Sequence, residues 1–165
     1  MRSNGECAED VEEREVNTQK MDNTIVYVIS NIEGLDAITV YVTDYKLGQG
    51  KIVIECFNEV WSYYWGAMGD CNLTEFFISA DNDYLLGKML NETMQTDFEE
   101  INDTAHKRGF DICVTSDVEI AMSSQEMDEC FGTDWPIDLP RCHTREYKYL
   151  SRIINVVRSA LAKEV

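Results

Sequence analysis

The sequence is short of positive charge, with 14 Lys and Arg against 31 Asp and Glu and a formal net charge of -17. That balance repels nucleic acid and anionic lipid at long range, so a partner reached by charge is a basic one. Apolar runs are short as well. None approaches the roughly 20 residues that cross a bilayer, and no apolar stretch at the N-terminus reads as a secretory signal, so the chain is expected in cytoplasm. Two histidines, His106 and His143, and no C-x-x-C spacing leave no zinc motif among the six cysteines. In a reducing compartment those cysteines are expected as free thiols, largely buried.

What is present suits one globular domain of 165 residues, with 44% hydrophobic and 27% charged residues. Residues 1–20 carry little large apolar surface and are expected as an acidic flexible tail, with a single domain over 21–165. From 22 to 67 apolar side chains alternate: Ile25, Tyr27, Ile29, then Ile38, Val40, Val42, then Ile52, Ile54, Cys56, then Val60 to Ala67. Period two predicts strands, and turns at Asn31–Gly34, Lys46–Gly50 and Asn58–Glu59 make them an antiparallel meander of about four.

Beyond Gly69 the period becomes helical. Asn72 or Thr74 is placed to cap a helix carrying Phe76, Phe77, Tyr84, Leu85 and Met89. Further helices are expected over 91–107 and 116–130, joined by an extended piece at Phe110–Val114, and Pro136 and Pro140 are expected to interrupt regular structure. A last helix begins near Thr144, with its apolar stripe on Leu150, Ile153, Ile154, Val157 and Leu161. Strands followed by helices predict an α+β fold, one sheet with C-terminal helices on one face, and no nucleotide-binding crevice.

Three segments carry candidate chemistry. In Val60–Gly69, strand alternation sends Trp61, Tyr63 and Trp65 to one face. That row is either a binding surface rich in aromatic anchors or the underside of the helices. Lys46-Leu-Gly-Gln-Gly-Lys51 lacks P-loop spacing and leads into a strand, so it reads as a hairpin. Asp81-Asn-Asp83, with Asp70 and Glu75, has the residue types for Mg²⁺, though a helix cap and a solvated loop use the same residues. Neither histidine sits in a recognisable triad, so no catalytic residues, metal or cofactor are assigned.

Most of the acid lies in one stretch, since residues 91–138 hold thirteen acidic and two basic residues while 141–165 hold six basic and two acidic. On helices, carboxylates one turn apart stand about 5–6 Å from each other, which approaches the phosphate spacing of nucleic acid. Glu99, Glu100, Asp103, Asp117, Glu119, Glu126, Asp128 and Glu129 are therefore the candidate partner-binding acids, with Trp61, Tyr63 and Trp65 as candidate anchors. A solvated acidic face that confers solubility is the plainer alternative. Arg145, Lys148, Arg152 and Arg158 form a basic strip on the last helix, expected to pair with acidic neighbours.

The wording Gly50-Lys-Ile-Val-Ile-Glu-Cys-Phe57, Trp61-Ser-Tyr-Tyr-Trp-Gly-Ala-Met-Gly-Asp70, Glu75-Phe-Phe77 and Asp83-Tyr-Leu85 resembles small proteins encoded by prophages and tailed phages. So does Phe131-Gly-Thr-Asp-Trp135 with Asp138-Leu-Pro140 and Tyr149-Leu-Ser-Arg-Ile-Ile154. The resemblance implies phage origin and no particular activity. A phage scaffold with an acidic segment suggests, by analogy, an anti-defence inhibitor of the anti-CRISPR kind. It would bind a host protein or ribonucleoprotein with a basic surface and no nucleic acid directly. Two other classes remain: a Mg²⁺-dependent phage enzyme or nuclease accessory using Asp70, Asp81 and Asp83, and a replication or recombination accessory whose basic last helix touches nucleic acid.

Overall fold

The computed structural model describes residues 18, 20 and 22–164, so the expected tail over 1–20 lies outside the described residues except for Thr18 and Lys20. Four strands, β1 (Thr24–Ile29), β2 (Ile38–Lys46), β3 (Gln49–Cys56) and β4 (Glu59–Trp65), form an antiparallel sheet in chain order. The register places Tyr27, Val40, Ile54 and Trp61 side by side, and likewise Ile25, Val42, Ile52 and Tyr63. The alternation read from sequence is thus one continuous apolar face, and the chain has the α+β fold that it predicts.

Helices α1 (Leu73–Ser79), α2 (Asn82–Met89) and the C-terminal α7 (Arg145–Leu161) cover that face. Five side chains of the α7 stripe, Leu150, Ile153, Ile154, Val157 and Leu161, are fully buried. Each is worth about 1.5–3 kcal/mol of transfer free energy, which makes this helix the main seal of the core. Its start is set by Thr144, whose hydroxyl accepts from the Tyr147 amide at 3.1 Å. Asn72 and Glu75 form a reciprocal capping box on α1. Asp44 at the end of β2 adds to it by accepting from the Leu73 amide at 2.8 Å.

The expected single helix after residue 72 is two helices. Ala80 is extended and Asp81 caps a new start, accepting from the Asp83 and Tyr84 amides. The expected helix over 91–107 is corrected likewise. Residues Met94–Thr96 form β5, which pairs antiparallel with β6 (Arg141–His143), and the helix α3 occupies Phe98–Lys107 behind its cap Asp97. The expected helix over 116–130 is α4 (Asp117–Met122) and α5 (Ser124–Phe131), divided at Ser123. Pro136 does not abolish helix: it sits in the first turn of the short α6 (Trp135–Asp138), where its missing N–H costs nothing.

Helices α3 to α6 have a hydrophobic cluster of their own, built from Ile101, Ala105, Ile112, Val114, Ile120, Met127 and Cys130. The extended piece at 110–114 feeds Ile112 and Val114 into it. The Asn102 side chain pins that piece, donating to the Val114 carbonyl and accepting from its amide, both at 2.9 Å. Segment 97–140 therefore leaves and returns through the β5–β6 ribbon, whose ends are tied by Asp97 N–H to the Pro140 carbonyl at 2.8 Å and Thr144 N–H to the Thr93 carbonyl at 3.1 Å.

Two tight turns hold the sheet. Between β2 and β3, Gly48 has φ +75° and packs on the 68–71 loop, with Met68 N–H donating to its carbonyl at 2.8 Å. Between β3 and β4 the turn residues are Phe57 and Asn58, one position earlier than expected, and Phe57 carries φ +56°. Left-handed backbone costs a side-chain-bearing residue about 1–2 kcal/mol.

Two outcomes test this description. A Cβ on Gly48 would stand 2.4 Å from the Gly69 carbonyl oxygen. Gly48→Ala is therefore expected to lower stability by at least the about 1–2 kcal/mol of the left-handed backbone alone, read as a drop in denaturation midpoint. An unchanged midpoint would refute that packing. The Glu119 carboxylate accepts from the Thr115 amide at 2.6 Å and hydroxyl at 2.9 Å, and these bonds lower its pKa from 4.5. A depressed folded pKa gives stability that is present above the unfolded value and lost as pH falls through the folded one. The protection of the Thr115 amide, measured against its intrinsic exchange rate at each pH, is accordingly expected to fall on acidification below 4.5, and Glu119→Gln is expected to flatten that dependence.

Candidate protein-binding surface

Acid concentrates where helices begin. Glu99 and Glu100 lie in the first turn of α3, Asp117 and Glu119 in that of α4, Glu126 in that of α5 and Asp138 in that of α6. The partial positive charge of a helix N-terminus favours this placement, so part of the acid excess serves folding. Several carboxylates also have local donors. Asp117 accepts from the Thr96 hydroxyl at 2.8 Å, Glu100 from Thr104 at 3.3 Å, Glu129 from Gln125 at 3.3 Å and Asp128 from the Trp135 indole at 2.8 Å.

None of this neutralises the charge. Glu99, Glu100, Asp103, Asp117, Glu119, Glu126, Asp128 and Glu129 are all exposed. Among the described residues, no carboxylate of 91–140 forms an ion pair with Lys or Arg; the pair found is Lys20–Asp22, at 3.7 Å and outside the segment. Of the two bases in the stretch, Arg108 lies over α5, donating to the Cys130 carbonyl at 2.6 Å with its guanidinium 5.3 Å from the Phe131 ring centre. The eight acids belong to three helices on one hydrophobic cluster, and their charge faces water.

The aromatic row behaves differently from an exposed anchor. Trp61 and Trp65 are 3% and 4% exposed and belong to the sheet core, and Tyr63 is half-buried. Trp65 is wedged against Phe76, Phe77 and Tyr63 at ring distances of 5.5, 6.4 and 4.9 Å, and its indole donates to the Tyr84 hydroxyl at 3.1 Å. As surface anchors Trp61 and Trp65 are thus corrected: burying an indole removes far more apolar area from water than a strand edge leaves free. The exposed apolar groups of the acidic segment lie elsewhere. Val118 and Met122, one helical turn apart on α4, are 68% and 82% exposed, and Asp117 and Glu119 flank Val118 in sequence. The signal for them was present, since they fall off the buried position Ile120.

The basic strip of α7 is corrected too. Arg152 donates to the Glu33 and Gly34 carbonyls and Arg158 to the Ile78 carbonyl near the end of α1, so these guanidiniums meet backbone oxygens and no carboxylate. Asp81 is the cap of α2, and Asp83 accepts from the Tyr147 hydroxyl at 2.5 Å, a bond that raises the tyrosine pKa. Among the described residues, no three of His, Cys, Asp or Glu converge as a metal site. Among the described residues Cys56, Cys71, Cys113, Cys130 and Cys142 are unpaired, and the expectation of largely buried thiols is corrected: Cys56 and Cys130 are buried, Cys71 and Cys142 are half-buried and Cys113 is exposed. No helix of the described residues is long and apolar enough to cross a membrane.

No curated protein and no solved structure matches this chain. A family model described as a phage family does match, over residues 17–163, which takes in both the sheet and the acidic helices. The chain therefore belongs to the phage family Phage_phiTE_072.

Proposed function

We propose that this phage protein is an anti-defence inhibitor that acts by binding. In this reading its acidic helices occupy the basic surface of a nucleic-acid-handling host complex in place of nucleic acid. The observation that supports it most is the uncompensated charge of α3, α4 and α5: exposed carboxylates on one small scaffold, with no intramolecular cationic partner among the described residues. Such a face draws a cationic channel at long range and fixes orientation on contact. Val118 and Met122 supply apolar contact within it, and an exposed methionine adapts to an uneven partner. Free thiols fit the reducing host cytoplasm. The carbonyl-bound Arg152 and Arg158 do not favour direct contact of α7 with nucleic acid.

The reading is tested with purified host complexes that cut or bind nucleic acid, by inhibition assays at rising salt and rising competitor DNA. Inhibition of at least one complex is expected, competitive with DNA and weaker by tenfold or more between about 50 and 200 mM salt. Replacing Glu99, Glu126 and Glu129 by Gln and Asp103 by Asn should cost a further tenfold or more with little change in thermal stability, since none of the four is a helix cap. Inhibition indifferent to both salt and neutralisation, or absent from every complex tried, sinks the proposal.

A further inference from the structure

The turn between β3 and β4 is made by a residue poorly suited to it. Phe57 holds φ +56°, where Gly or Asn is the usual occupant, and its ring is 76% exposed, so the ring contributes little to the core. Beside it lies a cavity of about 550 Å³, between the turn and the first residues of α7, lined by Phe57, Glu59, Trp61, Arg145, Glu146 and Tyr149. The Trp61 and Tyr149 rings meet at 57° with centres 5.9 Å apart, which forms an aromatic corner. Glu146 is held at its edge by the Trp61 indole N–H at 3.1 Å. Tyr149 is anchored by its hydroxyl, 3.3 Å from the Cys56 sulfur.

Two accessible rings, Phe57 and Tyr149, standing over the edge of the buried Trp61, together with two carboxylates, suit a planar cation. A guanidinium stacks on aromatic faces and is more weakly hydrated than an ammonium, so it gains most from a corner of this kind. Glu59 and Glu146 supply acceptors for its N–H fork. Arg145 is the one opposing charge, and it stands exposed at the first position of α7, where the helix dipole also disfavours it. We propose that this cavity is an anchor site for an arginine side chain of a protein partner. The inference rests on the reading above only in expecting a basic partner; the cavity itself is separate from the acidic helices.

Amide and side-chain NMR shifts of the full chain titrated with capped arginine amide test it, with capped citrulline amide and capped glutamate amide as controls. Each probe carries at most one charge, which keeps nonspecific attraction to the acidic helices small. Saturable shifts confined to residues 56–61 and 145–149 are expected for arginine alone. Glu59→Gln and Glu146→Gln should each weaken binding severalfold, and Arg145→Ala should tighten it severalfold by removing a like charge. Phe57→Asn should weaken binding while raising the melting temperature, a pairing that a purely structural role for Phe57 does not give.

Equal binding of citrulline, preference for glutamate, the reverse order of the charge variants, or no saturable shift at these residues would each overturn the anchor site. The variant neutralised at Glu99, Asp103, Glu126 and Glu129 should bind capped arginine as the parent does. Inhibition unchanged by that neutralisation, with arginine binding retained, would remove the inhibitor reading alone, and inhibition lost on neutralisation, with no saturable arginine shifts at 56–61 and 145–149, would remove only this one.

Discussion

A carboxylate keeps its charge only where water or a donor solvates it, and this chain has 31 acidic residues. No polar or charged residue is buried as a whole among the described residues. The fold is the solution to that constraint. One sheet face and five stripe positions of α7 collect apolar surface into a core that excludes ions, and the acids are displaced to helix starts and outer faces. A helix N-terminus tolerates negative charge, so many short helices accommodate more acid than one long helix would. The division at Ser123 and the restart at Asp81 fit the same logic.

The same constraint separates the roles of the two hydrophobic clusters. The first is large and aromatic and holds the sheet against α1, α2 and α7. The second is small, and its residues are separated by runs of acid. Self-repulsion works against the second cluster more than the first, and local devices offset it: the Asn102 clasp on Val114, the Arg108 bond to the Cys130 carbonyl and the stack of His143 on Tyr147, 3.8 Å between ring centres, at the base of the ribbon. A charge kept unpaired at such a cost is a reason to look outward for what it meets.

Much of this was legible in the amino acids. Period two over Ile38–Val42 and Ile52–Cys56 gave the sheet and its buried face, because alternation is a direct consequence of strand geometry. Thr144 and the Leu150-to-Leu161 stripe gave α7 for the same kind of reason. The β5–β6 ribbon was not legible, since three residues show no period and their partner lies nearly fifty positions away. Burial of Trp61 and Trp65 was undecidable locally, because a strand face looks alike whether a helix or a partner covers it. The carbonyl partners of Arg152 and Arg158 belong to tertiary contacts that no helical spacing encodes. Exposure of the eight acids followed from their chemistry alone, but their freedom from basic neighbours needed coordinates.

The β5–β6 ribbon has a consequence for how such a protein diverges. Its strands lie side by side, about 5 Å apart as in any paired sheet, so the chain enters and exits the acidic segment through adjacent doors. Whatever is built between them can lengthen, shrink or be replaced by a different insert without tugging on the sheet. A phage lineage can exchange that cassette while inheriting the chassis intact.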